Sequence, residues 1–208
     1  MRKSKHFALA AGLGIAVTAM LAGFLPGCGS ADSQADLKPL AVGSVVPDFK
    51  LTDVTGTEHT LAQYKGKVVA LVFTSQECPY SRGADPQLAD IARKYAEKGV
   101  VVLSIDSHKD TTPEQIRQYR DDKQLPFPIL KDPGNKYADA VGAKQTPEVF
   151  LVDKKGKLAY HGAFDDRRGT DEPGETPYLA NAIEALLADK TPDPADTRQW
   201  GCSIKRAS

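Results

Sequence analysis

Two apolar runs and the helical pattern between them set the framework of this sequence. Val68–Phe73 and Val100–Ile105 are short, rich in β-branched residues and bounded by polar residues and glycine, which is typical of strands buried on both faces of a sheet. Between them, a helical pattern that ends at Gly99 places four apolar side chains on one face: Leu88, Ile91, Ala92 and Tyr95. The pattern predicts a strand–helix–strand unit at the centre of an α/β domain.

Turn and capping residues delimit the elements around this unit. Thr112, Pro113 and Gln115 supply an N-cap, a proline at the first helical position and a capping-box partner, so they predict a helix running to about Lys123. The remaining segments follow from alternation and from glycine or proline punctuation: a strand at 46–51, a short edge strand at 127–130, a helix at 135–141 stopped by Gly142, a hairpin of 148–152 with 158–161 that turns at a left-handed Gly156, and a helix from 177 to about 188 capped by Thr176. This order predicts a central mixed β-sheet with helices on both faces.

Cys78 is the residue that this framework places best for chemistry. It follows the first buried strand and stands at the N-cap position, with Pro79 as the first residue of the helix. The free N–H groups and the positive dipole end of a helix favour a thiolate over a thiol. A small buried hydrophobe is the structural alternative for such a cysteine. We predict a reactive thiol.

Residues 1–27 have the pattern of a signal peptide and are excluded from the fold. A basic start is followed by an apolar run from Phe7 to Leu25 and then by the sequence Leu-Pro-Gly-Cys, which ends at Cys28. This junction resembles a bacterial lipobox. It implies lipid on Cys28 and a membrane-anchored lipoprotein that faces the periplasm or another extracytoplasmic space, with an uncleaved anchor and plain secretion as alternatives. Residues 28–40 are polar and predict a flexible tether.

Length, charge and cysteine count limit the domain organisation, the class of partner and the possible disulfides. The 208 residues suit one domain, at 41–190, followed by a C-terminal tail at 191–208. Removal of residues 1–27 takes three of the 27 basic side chains and none of the 27 acidic ones, so the formal charge becomes −3 and gives no indication of nucleic acid. With lipid on Cys28, Cys78 and Cys202 are the two cysteines left for an intramolecular disulfide.

The assembled motifs resemble the thioredoxin superfamily, in its redoxin or peroxiredoxin-like branch of alkyl hydroperoxide reductase and thiol-specific antioxidant proteins. The resemblance is carried by the buried strand with Cys78 beyond it, by Pro86 eight residues after that thiol, and by Thr146-Pro147 before a strand. It implies a three-layer α/β sandwich, a catalytic Cys78, and a cis Thr146-Pro147 bond against the reactive sulfur. It also implies that Pro79, Thr146 and Pro147 contact an extended substrate.

Two departures from the family patterns affect the predicted chemistry. Thioredoxins carry Cys-x-x-Cys, whereas Ser81 stands at the second cysteine position here, so a local resolving thiol is missing. Cys202 is the candidate for that role, in a Trp-Gly-Cys-Ser-Ile-Lys stretch similar to the ending of some peroxiredoxin-like proteins; a packing cysteine and an intermolecular link are its alternatives. Peroxiredoxin sequences carry the motif Pro-x-x-x-Thr/Ser-x-x-Cys. In this chain Ser75 fits the hydroxyl position of the motif, whereas Leu71 stands in place of its proline.

The sequence therefore predicts a cell-envelope thiol–disulfide oxidoreductase that acts on protein disulfides or dithiols without a cofactor. Cys78 would be the nucleophilic thiolate and Cys202 the catalytic thiol that resolves the intermediate. A peroxiredoxin-like peroxidase that reduces peroxide is the second hypothesis. A copper or haem-pathway chaperone and a non-redox interaction module are further alternatives; Thr74 and Arg82 occupy the positions where a Cys-x-x-x-Cys copper motif needs another thiol, and no metal site is predicted.

Other polar residues near the predicted site carry weaker hypotheses. Three arginines could polarise a peroxide or simply be solvated: Arg82, Arg117 and Arg120. His108 follows the second buried strand at the carboxyl edge of the sheet, so it is either a loop residue or a proton shuttle. We expect Glu77 to face solvent, His161 to be structural and the charged loop 165–168 to be solvated.

Overall fold

The computed structural model describes residues 37–207. The predicted signal peptide, Cys28 and most of the predicted tether lie outside the described residues. Among the described residues, no helix has the length and apolar character needed to cross a membrane. The Lys38 carbonyl lies against Gly142, and the Leu40 amide donates to the Val141 carbonyl at 2.9 Å.

Nine strands and four α-helices form the described chain. The strands are β1 Lys50–Asp53, β2 Glu58–Thr60, β3 Val68–Thr74, β4 Val100–Asp106, β5 Ile129–Lys131, β6 Gln145–Thr146, β7 Glu148–Val152, β8 Leu158–Gly162 and β9 Cys202–Ser203. The helices are α1 Pro79–Tyr95, α2 Pro113–Asp122, α3 Lys136–Val141 and α4 Tyr178–Leu187, and three short 3₁₀ segments lie at Ala62–Tyr64, Ala96–Lys98 and Pro133–Asn135.

Seven strands form one mixed sheet in the order β2-β1-β5-β4-β3-β7-β8. β3 pairs parallel with β4 and antiparallel with β7, so the predicted central strand is confirmed. β5 lies between β4 and β1, which makes the predicted edge position of residues 127–130 wrong. The first predicted strand is also displaced: Val45 forms an isolated antiparallel bridge with Lys157, Val46 and Phe49 are buried, and the strand itself starts at Lys50.

The sheet separates two apolar clusters because side chains alternate along each strand. Val68, Ala70 and Val72 of β3 face the cluster that α1, α2 and α4 cover, whereas Val69, Leu71 and Phe73 face the cluster that α3 covers. Helices therefore lie on both faces of the mixed sheet, and the predicted three-layer α/β sandwich is confirmed.

Local capping signals account for most helix ends. Cys78 is the N-cap of α1, and Thr112 with Gln115 forms the predicted capping box of α2. The predicted cap of the last helix is wrong: α4 begins at Tyr178, and the structure gives Thr176 no capping hydrogen bond. The backbone of Thr176 is held instead by the Asp166 carboxylate, which accepts its amide at 2.8 Å.

The C-terminal segment folds back along the domain. The amide of His161 donates to Ala195, and the amide of Thr197 donates to His161, so residues 195–197 run beside β8. Further on, β9 pairs antiparallel with β6, and Ile204 is buried in the α3-side cluster. The segment therefore starts beside the edge strand β8 and places Cys202 near the end of the central strand β3.

Candidate active site

Cys78 lies where the end of β3 meets the start of α1. Its backbone is extended (φ −89°, ψ 116°), with Pro79 at the first helical position, and its amide donates to the Ser75 carbonyl at 3.0 Å. The side chain therefore sits at the amino end of a helix of 17 residues. Only 1% of Cys78 is exposed, and both the Thr146 carbonyl and Cys202 of the C-terminal segment lie against its sulfur.

Pairing of β6 with β9 brings the two candidate catalytic cysteines together. Thr146 is paired with Cys202, and the sulfur atoms of Cys78 and Cys202 lie 2.6 Å apart without a bond between them. The two residues are 124 positions apart in sequence, yet only a small shift of their sulfur atoms would form a disulfide, in which the sulfur atoms are about 2.05 Å apart.

Gly201 permits this close approach of the two strands. Its φ is +131°, and a β-carbon placed there would lie 2.1 Å from the Thr146 carbonyl oxygen. Any side chain at this position would therefore push the C-terminal segment away from the loop before β7. Glycine next to Cys202 is part of what holds the two sulfur atoms in reach.

The two thiols differ in acidity. Burial disfavours the charged form of Cys78, but hydrogen bonds with Cys202 and Thr146 and with the backbone of Ser81 outweigh it and lower the pKa of Cys78. Burial raises the pKa of Cys202, and the hydrogen bond with Cys78 and the charge on that sulfur add to the rise. Cys78 is therefore the more acidic thiol of the pair and Cys202 the less acidic one.

The residues predicted to contact substrate lie around this sulfur pair. The Thr146-Pro147 peptide bond is cis, and the Thr146 carbonyl oxygen is 3.0 Å from the sulfur of Cys78. Thr146 and Pro147 are buried, whereas Pro79 is exposed beside Cys78. In this arrangement the chain's own β9 occupies the edge of β6.

Among the weaker sequence candidates, Arg82 is near enough for its charge to oppose the burial that raises the pKa of Cys202. Glu77 is exposed as expected, and the guanidinium of Arg82 donates to the Gln76 carbonyl at 2.9 Å. His108 is buried with no hydrogen-bond partner for its Nδ1, and burial lowers its pKa. The structure records no contact of either arginine on α2, Arg117 or Arg120, with the sulfur pair; Arg120 pairs with Asp121.

The charged loop 165–168 is not a solvated loop as predicted. Asp165 and Arg167 are buried and form an ion pair at 2.8 Å. The guanidinium of Arg167 lies against the ring of Trp200, whose indole N–H donates to the Asp165 carbonyl at 2.7 Å. Trp200 in turn packs on Tyr80, with ring centroids 5.5 Å apart. Sequence reasoning missed these contacts of Trp200, which hold the segment before Cys202 against the first turn of α1.

Asp85 was also missed by sequence reasoning. It is buried in α1, accepts a hydrogen bond from the Tyr119 hydroxyl, and lines a small cavity that Ser75 and Ser81 also line. Burial raises the pKa of Asp85 to about 6, against the opposing effects of Tyr119 and Lys123. A charged residue inside the otherwise apolar face of the predicted helix was the available signal.

Asp85→Asn should raise the free energy of unfolding at about pH 7.5 by up to about 3 kcal/mol. The folded state holds the Asp85 proton more tightly than the unfolded chain, so stability falls as pH rises between about 4 and 6 and stays lower above that range. Urea unfolding at about pH 4 and at about pH 7.5 tests this prediction. Asp90→Asn, on the exposed side of α1, is the matched control. A loss of stability at about pH 7.5 that is larger than the loss at about pH 4 would contradict the assignment.

Residues 37–207 offer no ready site for a metal ion. No group of three or more His, Cys, Asp or Glu side chains in that range is arranged to hold a metal ion. The sulfur atoms of Cys78 and Cys202 thus come together without a third such ligand in the described structure.

Comparisons with known proteins agree with this geometry. A model of the AhpC/TSA family matches residues 42–161, which include Cys78 and the cis-proline loop but not Cys202. The thiol-disulfide oxidoreductase ResA of Bacillus thuringiensis (strain Al Hakam) is 32% identical over 124 residues, which cover 60% of this chain and 70% of that protein.

Two solved structures show the same fold. A hypothetical protein, SMc02350, from Sinorhizobium meliloti 1021 superposes with a TM-score of 0.77 and 31% identity over 82% of this chain and 97% of that chain. The exposed lipoprotein thioredoxin Etrx1 of Streptococcus pneumoniae strain TIGR4 gives a TM-score of 0.54 and 27% identity over 69% of this chain and 99% of that chain.

Proposed function

This chain belongs to the AhpC/TSA family of the thioredoxin superfamily and is an oxidoreductase that acts by thiol–disulfide exchange, and we propose that Cys78 is its attacking thiolate and Cys202 its resolving thiol. The observation that carries the proposal is the 2.6 Å separation of the two sulfur atoms. The lowered pKa of Cys78 and the raised pKa of Cys202 support these two roles.

The proposed reaction proceeds in two exchanges. The Cys78 thiolate attacks one sulfur of a partner disulfide, a mixed disulfide forms and the partner's other sulfur leaves as a thiolate. Cys202 then gives up its proton and attacks the sulfur of Cys78, which releases the second partner sulfur. The products are a Cys78–Cys202 disulfide and a partner dithiol, and the reverse sequence oxidises a dithiol partner.

We propose that an extended partner segment binds at the edge of β6, beside Thr146 and Pro147, with Pro79 at its border. An edge strand that loses its neighbour presents unpaired backbone groups and accepts another strand in the same hydrogen-bonding pattern. Because β9 occupies this edge and Cys78 is 1% exposed, the C-terminal segment has to lift before a protein disulfide reaches the sulfur.

Peroxide reduction is a second candidate, and the burial of Cys78 favours it. A small oxidant needs much less opening of the C-terminal segment than a protein does. The Cys78 thiolate would attack a peroxide oxygen and become a sulfenic acid, and the other oxygen would leave as hydroxide or alkoxide and take a proton from water. The Cys202 thiol would then attack the Cys78 sulfur and displace its hydroxyl group as water, which forms the same disulfide.

Mapping the oxidised cysteines tests both proposals. The full chain with Cys28→Ser is treated with oxidised glutathione or with hydrogen peroxide, digested without reduction and analysed by mass spectrometry. We expect a Cys78–Cys202 peptide in both arms, and the rates decide the preferred oxidant. A glutathione adduct or sulfenic acid that persists on Cys78, or an unmodified Cys78, would contradict Cys202 as the resolving thiol.

We propose that the protein is a membrane-anchored lipoprotein with lipid on Cys28. The lipobox-like junction before Cys28 supports this location, as does the similarity to a thioredoxin that is described as an exposed lipoprotein. Cys28→Ser should move the protein from the membrane fraction to the soluble fraction or leave its leader uncleaved, and it should abolish incorporation of labelled fatty acid. Cys202→Ser is the control, because it also removes one cysteine, and labelling should persist. Equal labelling of both variants would overturn the proposal.

A further inference from the structure

The carboxylate of Glu148 anchors the loop that touches the Cys78 sulfur. Glu148 is 1% exposed at the start of β7, opposite Phe73 of the central strand. Its Oε2 atom accepts the amides of Lys144 at 2.7 Å and Gln145 at 2.8 Å. These bonds hold the backbone immediately before Thr146, whose carbonyl oxygen lies 3.0 Å from the sulfur of Cys78.

His161 connects this anchor to the segment that carries Cys202. Its Nε2 lies 2.9 Å from Glu148 Oε1, and its Nδ1 lies 3.0 Å from Asp196 Oδ2. The side-chain nitrogen of Gln199 is also within 3.1 Å of the imidazole nitrogens. Asp196 and Gln199 belong to the C-terminal segment, so one buried imidazole bridges the cis-proline loop and the path to Cys202.

We infer that Glu148 and His161 are positioning residues that set the separation of the Cys78 and Cys202 sulfur atoms. The inference rests on the proposed function, since it concerns the step in which Cys202 attacks Cys78. Glu148 fixes the loop on one side of the sulfur pair, and His161 fixes the C-terminal segment on the other side through Asp196 and Gln199. Neither side chain contacts a sulfur atom in the structure.

This arrangement has a measurable consequence for the disulfide. The equilibrium between the Cys78–Cys202 disulfide and glutathione gives the effective concentration of one sulfur at the other. Effective concentration depends steeply on geometry, and a misplacement of about 1 Å lowers the rate of a positioned reaction by about 10²-fold. Loss of the His161 bridge leaves both cysteines intact but lets the segment that carries Cys202 drift.

The first test is His161→Ala in a Cys28→Ser background, titrated with reduced and oxidised glutathione. We expect the effective concentration of Cys202 to fall about tenfold, which corresponds to a reduction potential about 30 mV less negative. Glu148→Ala should cause a similar fall. Glu148→Gln should restore much of it, because the amide oxygen still accepts the two loop amides and the amide nitrogen can donate to a neutral imidazole.

His59→Ala is the matched control, because His59 is also a buried imidazole paired with a carboxylate, Asp53, at 3.1 Å, and it lies on the β1–β2 hairpin. His59→Ala should lower the melting temperature and leave the effective concentration at the wild-type value. Equal falls in His59→Ala and His161→Ala would show a general loss of stability and overturn the inference.

A double variant guards against misfolding. The Asp196 side chain is 66% exposed, so Asp196→Asn combined with Gln199→Ala weakens the bridge from the solvent side and preserves Glu148 and His161. We expect a fall of about threefold in effective concentration, and an unchanged value would overturn the inference. If the wild-type chain forms no Cys78–Cys202 disulfide at any glutathione ratio, the proposed function fails first, and this outcome is distinct from a disulfide that forms normally in every variant.

Discussion

Cys78→Ser should abolish thiol–disulfide exchange, with turnover of a disulfide-containing peptide lowered by at least about 10³-fold. The hydrogen bonds that lower the pKa of Cys78 act on a thiol, whose ordinary pKa lies near 8.5, whereas a serine hydroxyl stays protonated at the same position. Cys202 is not expected to replace it, because burial raises the pKa of Cys202 and this effect remains when Cys78 is removed. Steady-state turnover with glutathione as reductant, in a Cys28→Ser background, measures the loss.

Cys202→Ser is the matched control for this experiment. It removes one sulfur from the same pair but keeps the thiolate that makes the first attack, so a single-turnover reaction with a disulfide should still occur. Trp200 is the one tryptophan of the chain and packs on Tyr80 beside Cys78, so its fluorescence reports movement of the C-terminal segment in each variant. Residual turnover in Cys78→Ser above about 0.1% of the wild-type rate would assign the nucleophile to another group.

The position of Cys78 could be predicted because its determinants are local. An apolar β-branched run, a cysteine and a proline at the first helical position lie within twelve residues, and each favours its own conformation independently of the rest of the chain. The same reasoning applies to the capping box at Thr112. It applies also to Gly99, which ends the 3₁₀ segment after α1 in a left-handed conformation. Where a stronger contact competes, local reasoning fails, as at Thr176, which the Asp166 carboxylate holds outside the helix.

The bridge from Glu148 to the C-terminal segment could not be predicted in this way. Glu148 is a charged residue at the start of an apolar strand, and the predicted hairpin places His161 on the neighbouring strand. Neither feature indicates that Asp196 and Gln199 return to the same imidazole, since that contact depends on the path of a segment with little regular structure. The spacing of the two sulfur atoms depends on the same path. Cys202 could therefore be identified as the candidate thiol from its residue type, but its position beside Cys78 could not be predicted.

Cys202→Ser should convert the protein into a trap for its partners. The first exchange leaves the partner joined to Cys78, and the serine hydroxyl cannot attack a disulfide, so release depends on an external thiol. A thiol held 2.6 Å from its target has an effective concentration far above the millimolar range of glutathione, and we expect turnover to fall by at least about 10²-fold. Non-reducing gels should show a stable adduct that disappears with dithiothreitol, and the intact mass should equal the sum of chain and partner.

Gly201→Val separates the role of the sulfur from the role of its position. This variant keeps both thiols, but its β-carbon would collide with the Thr146 carbonyl, so β9 should leave the edge of β6. Cys78 then becomes more exposed, and alkylation of Cys78 should accelerate even as closure of the disulfide slows. Cys202→Ser should leave β9 in place, so alkylation changes little while adducts accumulate. If Cys202→Ser instead turns over at the wild-type rate without an adduct, the second thiol comes from another molecule, and the C-terminal segment is a cover for Cys78 and takes no part in the exchange.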